Sequence, residues 1–355
     1  MTDLKNAFAG KRVFVTGHTG FKGPWLLAML ESLGAKTMGY GLAPETSPSM
    51  YTLIGGDSLC ESVIADLRNR EMLSASLAGF APDFIIHMAA QSLVRRSYRD
   101  PIDTFESNVT GTMNVLEALR HHDGRCATVI VTTDKVYAES GTLKAYSEDD
   151  KLGGHDPYST SKAMCELVTD SYRKSFFASD KYATHGKSIA TARAGNVIGG
   201  GDWCEDRLVP DVVRAMAKGQ SVRVRNPRAV RPWQHVLEPL TGYLTLAARL
   251  AASPQTTGSA FNFGPDESDV LEVEKVVQIA LEKWGSGQYH VDVDPNAPHE
   301  AALLRISSDK AKRELGWRPR WNASTAIEKT VEWYRNAMTN ALAYTRGQID
   351  RYFVA

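Results

Sequence analysis

The sequence predicts an α/β fold, a doubly wound parallel sheet carrying a second, smaller lobe. Three observations lead there. Short apolar strands alternate with helices as far as residue 194, a glycine turn closes the first strand, and after Gly199 the texture loosens into Gly, Pro and Arg. The strands read as Arg12 to Gly17, Lys36 to Tyr40, Glu61 to Asp66, Asp83 to Ala90, Thr128 to Asp134 and Ser188 to Gly195, several of them rich in β-branched residues. Between them lie helical stretches such as PWLLAMLESLG, where Pro24 suits a first turn and Gly34 a C-terminal stop. The longest begin at Ile102 (IDTFESNVTGTMNVLEALR) and Ser159 (STSKAMCELVTDSYRKSFF). EPLTGYLTLAARLAA and GSAFNFG are expected to return to the sheet as a helix and a strand. The expected division is therefore 1–195 with 232–264 for the sheet domain, 196–231 and 265–340 for the second lobe, and 341–355 for a C-terminal tail.

Composition narrows the partners. At 355 residues and 43% hydrophobic, the chain can bury a sizeable core. Its 41 Lys plus Arg balance 41 Asp plus Glu, which argues against bulk binding of nucleic acid or anionic membrane. Any charged ligand has to be met locally. Cys60, Cys126, Cys165 and Cys204 are scattered without zinc-type spacing, so they read as reduced thiols and no metal site is expected. The start, MTDLKNAFAGKR, lacks the apolar centre of a signal peptide, and no apolar run approaches the ~18 residues of a membrane span. The expectation is a soluble, cytoplasmic protein.

The first strand runs into GHTGFKG, with Gly17, Gly20 and Gly23 spaced G-x-x-G-x-x-G before a helix. Glycine lets the backbone turn sharply and approach a diphosphate, whose charge meets the N–H groups of the helix start; this is the Rossmann context of a dinucleotide site. At the end of the second strand, GYGLAPETS offers Gly41 and Leu42 where an acid usually reads a ribose, with Glu45 a few residues late. No Arg stands there for a 2′-phosphate, so NAD is expected over NADP. Asp66 and Leu67 end the third strand, where they border an adenine or Asp66 caps the next helix. Ala89 and Ala90 are small enough for a cofactor to lie across the strand end, and close packing explains them equally well.

Tyr158 and Lys162 in YSTSK stand four apart at a helix start and so share one face. A lysine beside a phenol, with a positive nicotinamide ring, favours phenolate, which can take the proton of a sugar hydroxyl. TTDKVY ends the preceding strand, and in a parallel sheet its tail shares the carboxyl edge with the glycine loop. That moves Asp134 and Lys135 from a surface ion pair towards the site. Between Arg207 and Arg231 stand Arg207, Arg214, Lys218, Arg223, Arg225, Arg228 and Arg231 against one acid, Asp211, a concentration suited to a diphosphate. Trp233 and His235 read as packing residues.

In this order, G-x-x-G-x-x-G, a Thr-Thr-Asp strand end and Y-x-x-x-K resemble the extended short-chain dehydrogenase/reductase family. Within it, GHTGFKGPWL, HMAAQSLVR, TTDKVY, DPYSTSK, RAGNVIGGGDWCEDRLVPD and RNPRAVRPWQHVLEPLTGYL resemble the CDP-glucose 4,6-dehydratases over nearly the whole chain. The resemblance implies NAD, held by Gly17, Thr19, Gly20, Phe21, Gly23, Asp66, Leu67, Ala89, Ala90, Gln91, Asn108, Tyr158 and Lys162. It implies CDP-D-glucose as substrate, converted to CDP-4-dehydro-6-deoxy-D-glucose and water on the way to bacterial surface deoxysugars. Tyr158 would be the base at sugar carbon 4, with Thr133 on the same oxygen, and Asp134 the acid for the hydroxyl leaving carbon 6. The dTDP-glucose dehydratases have Glu where Lys135 stands, so the base at carbon 5 stays open. Asn196, Arg231, Arg207 and Arg225 would meet the diphosphate and His299 the nucleotide. The helices from Ile102 and Ser159 would build a homodimer, alone or as a dimer of dimers. A 4-epimerase of the same fold and a non-catalytic NAD-binding protein are the alternatives. Asp134-Lys135 weighs against the first, and the presence of Tyr158 and Lys162 against the second.

Overall fold

A computed structural model describes residues 1–139, 144–255, 257–293 and 304–355. Seven strands are formed by β1 (Arg12–Thr16), β2 (Lys36–Gly41), β3 (Glu61–Ile64), β4 (Phe84–His87), β5 (Cys126–Val131), β6 (Lys187–Ala194) and β7 (Ala260–Phe263). They pair in the order β7-β6-β5-β4-β1-β2-β3, all parallel. Every residue of β4, β5 and β6 is buried, as expected of parallel strands covered by helices on both faces. The order reverses between β1 and β4, which opens a crevice at their carboxyl ends.

β4 and β5 stop three residues short of the sequence expectation, at His87 and Val131. Beyond β4 a side chain takes over from the ladder: Met88 N donates to both Thr16 O (3.2 Å) and Thr16 Oγ1 (3.1 Å), and Ala89 N to Thr16 Oγ1 (3.2 Å). Beyond β5, Thr133 Oγ1 accepts from Lys135 N (3.4 Å) and starts a tight turn over Asp134–Val136. The strand ends thereby become loop, free to face a ligand.

Helix α1 (Lys22–Ser32) follows β1 and buries Gly23 through Leu30, and Gly34 at φ 77° ends it. Ahead of α2 (Arg70–Phe80) the cap is Asn69, whose side chain accepts from Met72 N (3.1 Å). Asp66 instead accepts from Arg68 N (2.8 Å) and pairs with the Arg68 guanidinium (2.6 Å). The single helix expected from Ile102 is Pro101–Phe105, a π-turn at Glu106–Thr110, and α3 (Gly111–Arg120). Such turns mark places where one residue is re-aimed, and this one carries the buried Asn108. Helix α4 (Pro157–Ser175) opens on Asp156, whose carboxylate accepts from Ser159 N (2.9 Å) and Ser159 Oγ (2.6 Å). Its first two turns carry Tyr158 and Lys162.

The second lobe contains α5 (Leu208–Ala217), and two ribbons pairing Val222–Val224 with Tyr289–Val291 and Val230–Arg231 with Leu271–Glu272. α6 (Leu237–Ala252) returns to pack on β5 and β6 and leads to β7. One apolar core runs from Val15 and Val129 in the sheet into Val276 and Val277 of α7 (Val273–Trp284) and Ile327 of α8 (Ala323–Asn336). Most of the final segment forms α9 (Ala341–Val354), which packs on α1. There Tyr352 donates to buried Glu238 (2.7 Å), and Trp333 Nε1 donates to Thr345 Oγ1 (3.0 Å). Among the described residues no helix is long and apolar enough to cross a membrane.

Candidate active site

A cleft of about 420 Å³ lies at the β1/β4 reversal, between the sheet edge and the second lobe. Its floor is backbone. A Cβ on Gly17 (φ 75°) would come within 2.8 Å of the Ala89 backbone, and one on Gly23 within 2.3 Å of His18 O. Those two glycines are demanded by the fold. A Cβ on Gly20 would meet nothing closer than Gly17 O at 3.5 Å. The bareness at Gly20 leaves open space on the cleft wall, with Phe21, Ala89 and Ala90 beside it. These residues fit a diphosphate that must approach the main chain closely.

The other residues expected at a cofactor divide. Thr19 turns away and donates from Oγ1 to Leu42 O (2.7 Å), tying the glycine loop to the end of β2. Gln91 and Asn108 lie behind the cleft wall. Asn108 accepts from Gln91 N (2.8 Å) and donates to Gln91 O (3.0 Å) and Ser161 Oγ (2.8 Å). It therefore pins the loop after β4 to α4. Asp66 is engaged by Arg68, and Leu67 packs under Gly111; neither lines the cleft.

The catalytic candidates come together: Thr133, Asp134, Lys135, Tyr158 and Lys162 all line one wall. Lys162 is buried and donates from Nζ to Val131 O (3.0 Å). Burial holds its ammonium below the usual lysine range. Burial pushes the Tyr158 phenol up to about 12, although the Thr133 hydroxyl pulls it down. Burial thus works against the phenolate expected from the sequence, and the nicotinamide charge invoked there comes only with the cofactor. Asp134 is 2% exposed; Oδ1 accepts from Thr133 Oγ1 (3.1 Å), and Oδ2 has no hydrogen-bond partner. Burial raises its carboxyl above the ordinary range, against the opposing pull of Lys135, Thr133, Arg231 and Lys22. The arrangement is a buried carboxyl whose burial favours its protonated form.

Sequence reasoning missed Lys22, which sits inside the glycine motif and lines the cleft. Burial, helped by Arg207 and Lys162, lowers its ammonium to about 7, with Asp134 and Asp202 acting in the opposite direction. The available signal was a lysine where the surrounding motif is small or apolar.

On the lobe wall stand Asn196, Arg207, Arg225 and Arg231. The local sequence offers one acid for this basic row, but the fold brings more. Arg207 pairs with Asp202 (2.9 Å) and donates to Ser92 Oγ (2.8 Å), bridging the lobe to the loop after β4. Arg225 pairs with Asp206 (2.8 Å), a residue at φ 59°, and Arg223 with Asp292 (2.7 Å). Arg231 is buried and donates to Val230 O (3.0 Å). Trp233 is buried and donates to Leu271 O (3.2 Å), and His235 is enclosed by Trp25 and Trp321, where burial lowers it to about 3. His299 lies outside the described residues.

Comparison with known proteins agrees with this geometry. The chain is 45% identical over 331 residues to the CDP-glucose 4,6-dehydratase of Salmonella typhimurium, covering 93% of this chain and 92% of that protein. A dTDP-glucose 4,6-dehydratase of Streptomyces venezuelae, solved with NAD bound, superposes with a TM-score of 0.77 at 24% identity, covering 93% of this chain and 99% of that one. The UDP-glucose 4-epimerase of Thermotoga maritima superposes at 0.79 with 19% identity, covering 92% and 99%. The family model described as GDP-mannose 4,6 dehydratase matches residues 14–330, from β1 through α8. The glycine cradle, the Tyr158 helix and the arginine lobe all fall inside that match, and the chain belongs to the GDP-mannose 4,6 dehydratase family.

Proposed function

We propose that the chain is an NAD-dependent hydro-lyase that converts CDP-D-glucose to CDP-4-dehydro-6-deoxy-D-glucose. The observation that carries the reading is Asp134, a buried carboxyl on one cleft wall with Tyr158 and Thr133, its pKa raised by burial. A 4-epimerase needs the Tyr158 proton relay but has no leaving hydroxyl to protonate; a dehydratase needs both. The choice of cytidine rests on the Salmonella relative, 45% identical to this chain.

Gly17, Gly20, Phe21, Ala89 and Ala90 would hold NAD. When bound, NAD supplies the hydride chemistry that the side chains lack, taking hydride from sugar carbon 4 and returning it at carbon 6. Tyr158 accepts the proton of the carbon-4 hydroxyl while Thr133 hydrogen-bonds the same oxygen. Burial by itself opposes ionisation of the phenol. To accept that proton the phenol has to be ionised, and the positive nicotinamide of bound NAD, with Lys162 one turn further along α4, would favour the phenolate. The resulting ketone acidifies carbon 5, and Asp134 protonates the hydroxyl departing from carbon 6. Lys135, on the same turn, faces the cleft and is our candidate to take the carbon-5 proton. Asn196 and Arg231, with Arg207 and Arg225, would hold the diphosphate, and His299 would approach the nucleotide.

We also propose a homodimer. Ile102 (67% exposed), Met164 (39%) and Leu167 (60%) place apolar side chains on the segment before α3 and on α4. Four free cysteines fit a reducing cytoplasm. The deciding experiment incubates the protein and NAD with CDP-, dTDP-, UDP- and GDP-glucose and follows the 4-keto sugar by mass. Loss of water from CDP-glucose, without net NADH, is expected. Inertness toward it sinks the proposal.

A further inference from the structure

Behind the proposed site lies a buried ion pair that the chemistry above does not use. Glu166 stands one turn beyond Lys162, so Tyr158, Lys162 and Glu166 form a stripe along α4. The Glu166 carboxylate accepts from Thr132 Oγ1 (2.5 Å), Thr191 Oγ1 (2.6 Å), Arg193 Nε (3.0 Å) and Arg193 Nη2 (2.9 Å). Arg193 Nη1 donates to the Tyr137 hydroxyl (2.9 Å), which donates to Asn262 Oδ1 (2.7 Å). Both charged side chains are 4% exposed.

The position of the anchored residues gives the pair its meaning. Thr132 immediately precedes Thr133, and Tyr137 immediately follows the Asp134–Val136 turn. One ion pair therefore grips the Thr133–Asp134–Lys135 corner at both ends, while Lys162 holds the preceding carbonyl, Val131 O. A buried ion pair is a poor source of net stability, since apolar residues of similar volume often do as well. What apolar packing cannot supply is direction. Four hydrogen bonds onto one carboxylate fix α4 against the ends of β5 and β6.

We infer that Glu166 and Arg193 are positioning residues that set the Thr133–Asp134 corner against Tyr158. Neither lines the cleft; they act through Thr132 and Tyr137. Their effect on catalysis rests on the function proposed above, whereas their grip on the corner does not. The test therefore has two arms, both with Glu166→Gln, which keeps the shape and removes the charge. Amide hydrogen exchange of the folded protein should quicken at least tenfold in peptides covering 131–138 and stay unchanged in β1 and α6. In turnover of CDP-glucose, kcat should fall ~100-fold, the size expected when reacting groups are misplaced by about 1 Å. KM and the affinity for CDP should hold within about threefold, and Glu166→Asp should recover part of the lost kcat. Unchanged exchange at 131–138 overturns the inference. So does an unaltered kcat, or a loss that follows CDP affinity instead of kcat. If Glu166→Gln does not fold, Tyr137→Phe, which removes one hydroxyl from the far grip, carries the same two readouts at smaller size. A parent protein inert toward CDP-glucose defeats the proposed function alone, and the exchange arm then decides this inference.

Discussion

On the sheet wall of the cleft, each group is fixed by neighbours that leave it no alternative: Lys162 on a strand-end carbonyl, Asp134 on Thr133, Tyr158 in the first turn of a capped helix. On the lobe wall, Arg207, Arg225 and Arg223 rest on Asp202, Asp206 and Asp292; the last two pairs are partly exposed, within reach of an incoming phosphate. The first wall is preset, which suits the proton relay proposed for it, because such groups must already stand where charge develops. The second is exchangeable, as suits a surface that trades one anionic acceptor for another. Reaction rate should therefore follow changes on one wall and affinity changes on the other.

The sharpest break is Tyr158→Phe, which should lower kcat by ~10³-fold or more, within the range for loss of a positioned acid–base group. Affinity for CDP, measured calorimetrically, should hold within threefold; a large loss would mean that the sheet wall also binds. Next comes Asp134→Asn, expected to slow water loss ~10²-fold. The pH profile carries the sign. Asp134 has a raised carboxyl, so its proton is present at low pH and is lost as pH rises through that raised value. Dehydration in the parent should decline on that alkaline limb, and Asp134→Asn should abolish the limb while carbon-4 oxidation, read as transient NADH absorbance, persists.

Arg225→Met should weaken CDP binding ~10-fold with kcat nearly unchanged, the scale of one charge-assisted hydrogen-bonding group. Asp206→Asn should do the reverse by freeing Arg225, tightening CDP by a few-fold. Tighter binding in both variants, or in neither, would remove the idea of exchange.

The smallest effect lies outside both walls. Burial raises Glu238 from an ordinary 4.5 to about 7, opposed by the Trp321 N–H and the Tyr352 hydroxyl. The folded chain thus keeps a proton that the unfolded chain releases between those values. Its contribution is complete below pH 4.5 and lost as pH rises through about 7, on the order of 3 kcal/mol at most. The melting temperature of Glu238→Gln relative to the parent should climb across that window by several degrees. A constant difference would refute it.

What was legible in the sequence was what neighbours in the chain decide. Gly17, Gly20 and Gly23, the Tyr158/Lys162 spacing and the returning segments at 237–252 and 260–263 are local patterns, and the fold places them on one edge or one sheet. Two things were hidden because they depend on distance along the chain. Arg223 meets Asp292 and Arg193 meets Glu166 only after folding, so a count of acids within the basic row underestimates its pairing. The phenol of Tyr158 and the carboxyl of Asp134 take their direction from burial, which spacing does not contain. Asn108 and Gln91, expected at the cofactor, hydrogen-bond each other through a π-turn that the sequence pattern of one continuous helix did not show.

The paired arginines also bear on how quickly the cleft fills. A bare row of cations would cast a positive field into solvent, speed the arrival of a doubly charged ligand and make capture fall steeply with ionic strength. Here carboxylates mute that field at short range. Arrival should then be an ordinary diffusional encounter, little changed by added salt, and the hold on the ligand should show itself in slow departure.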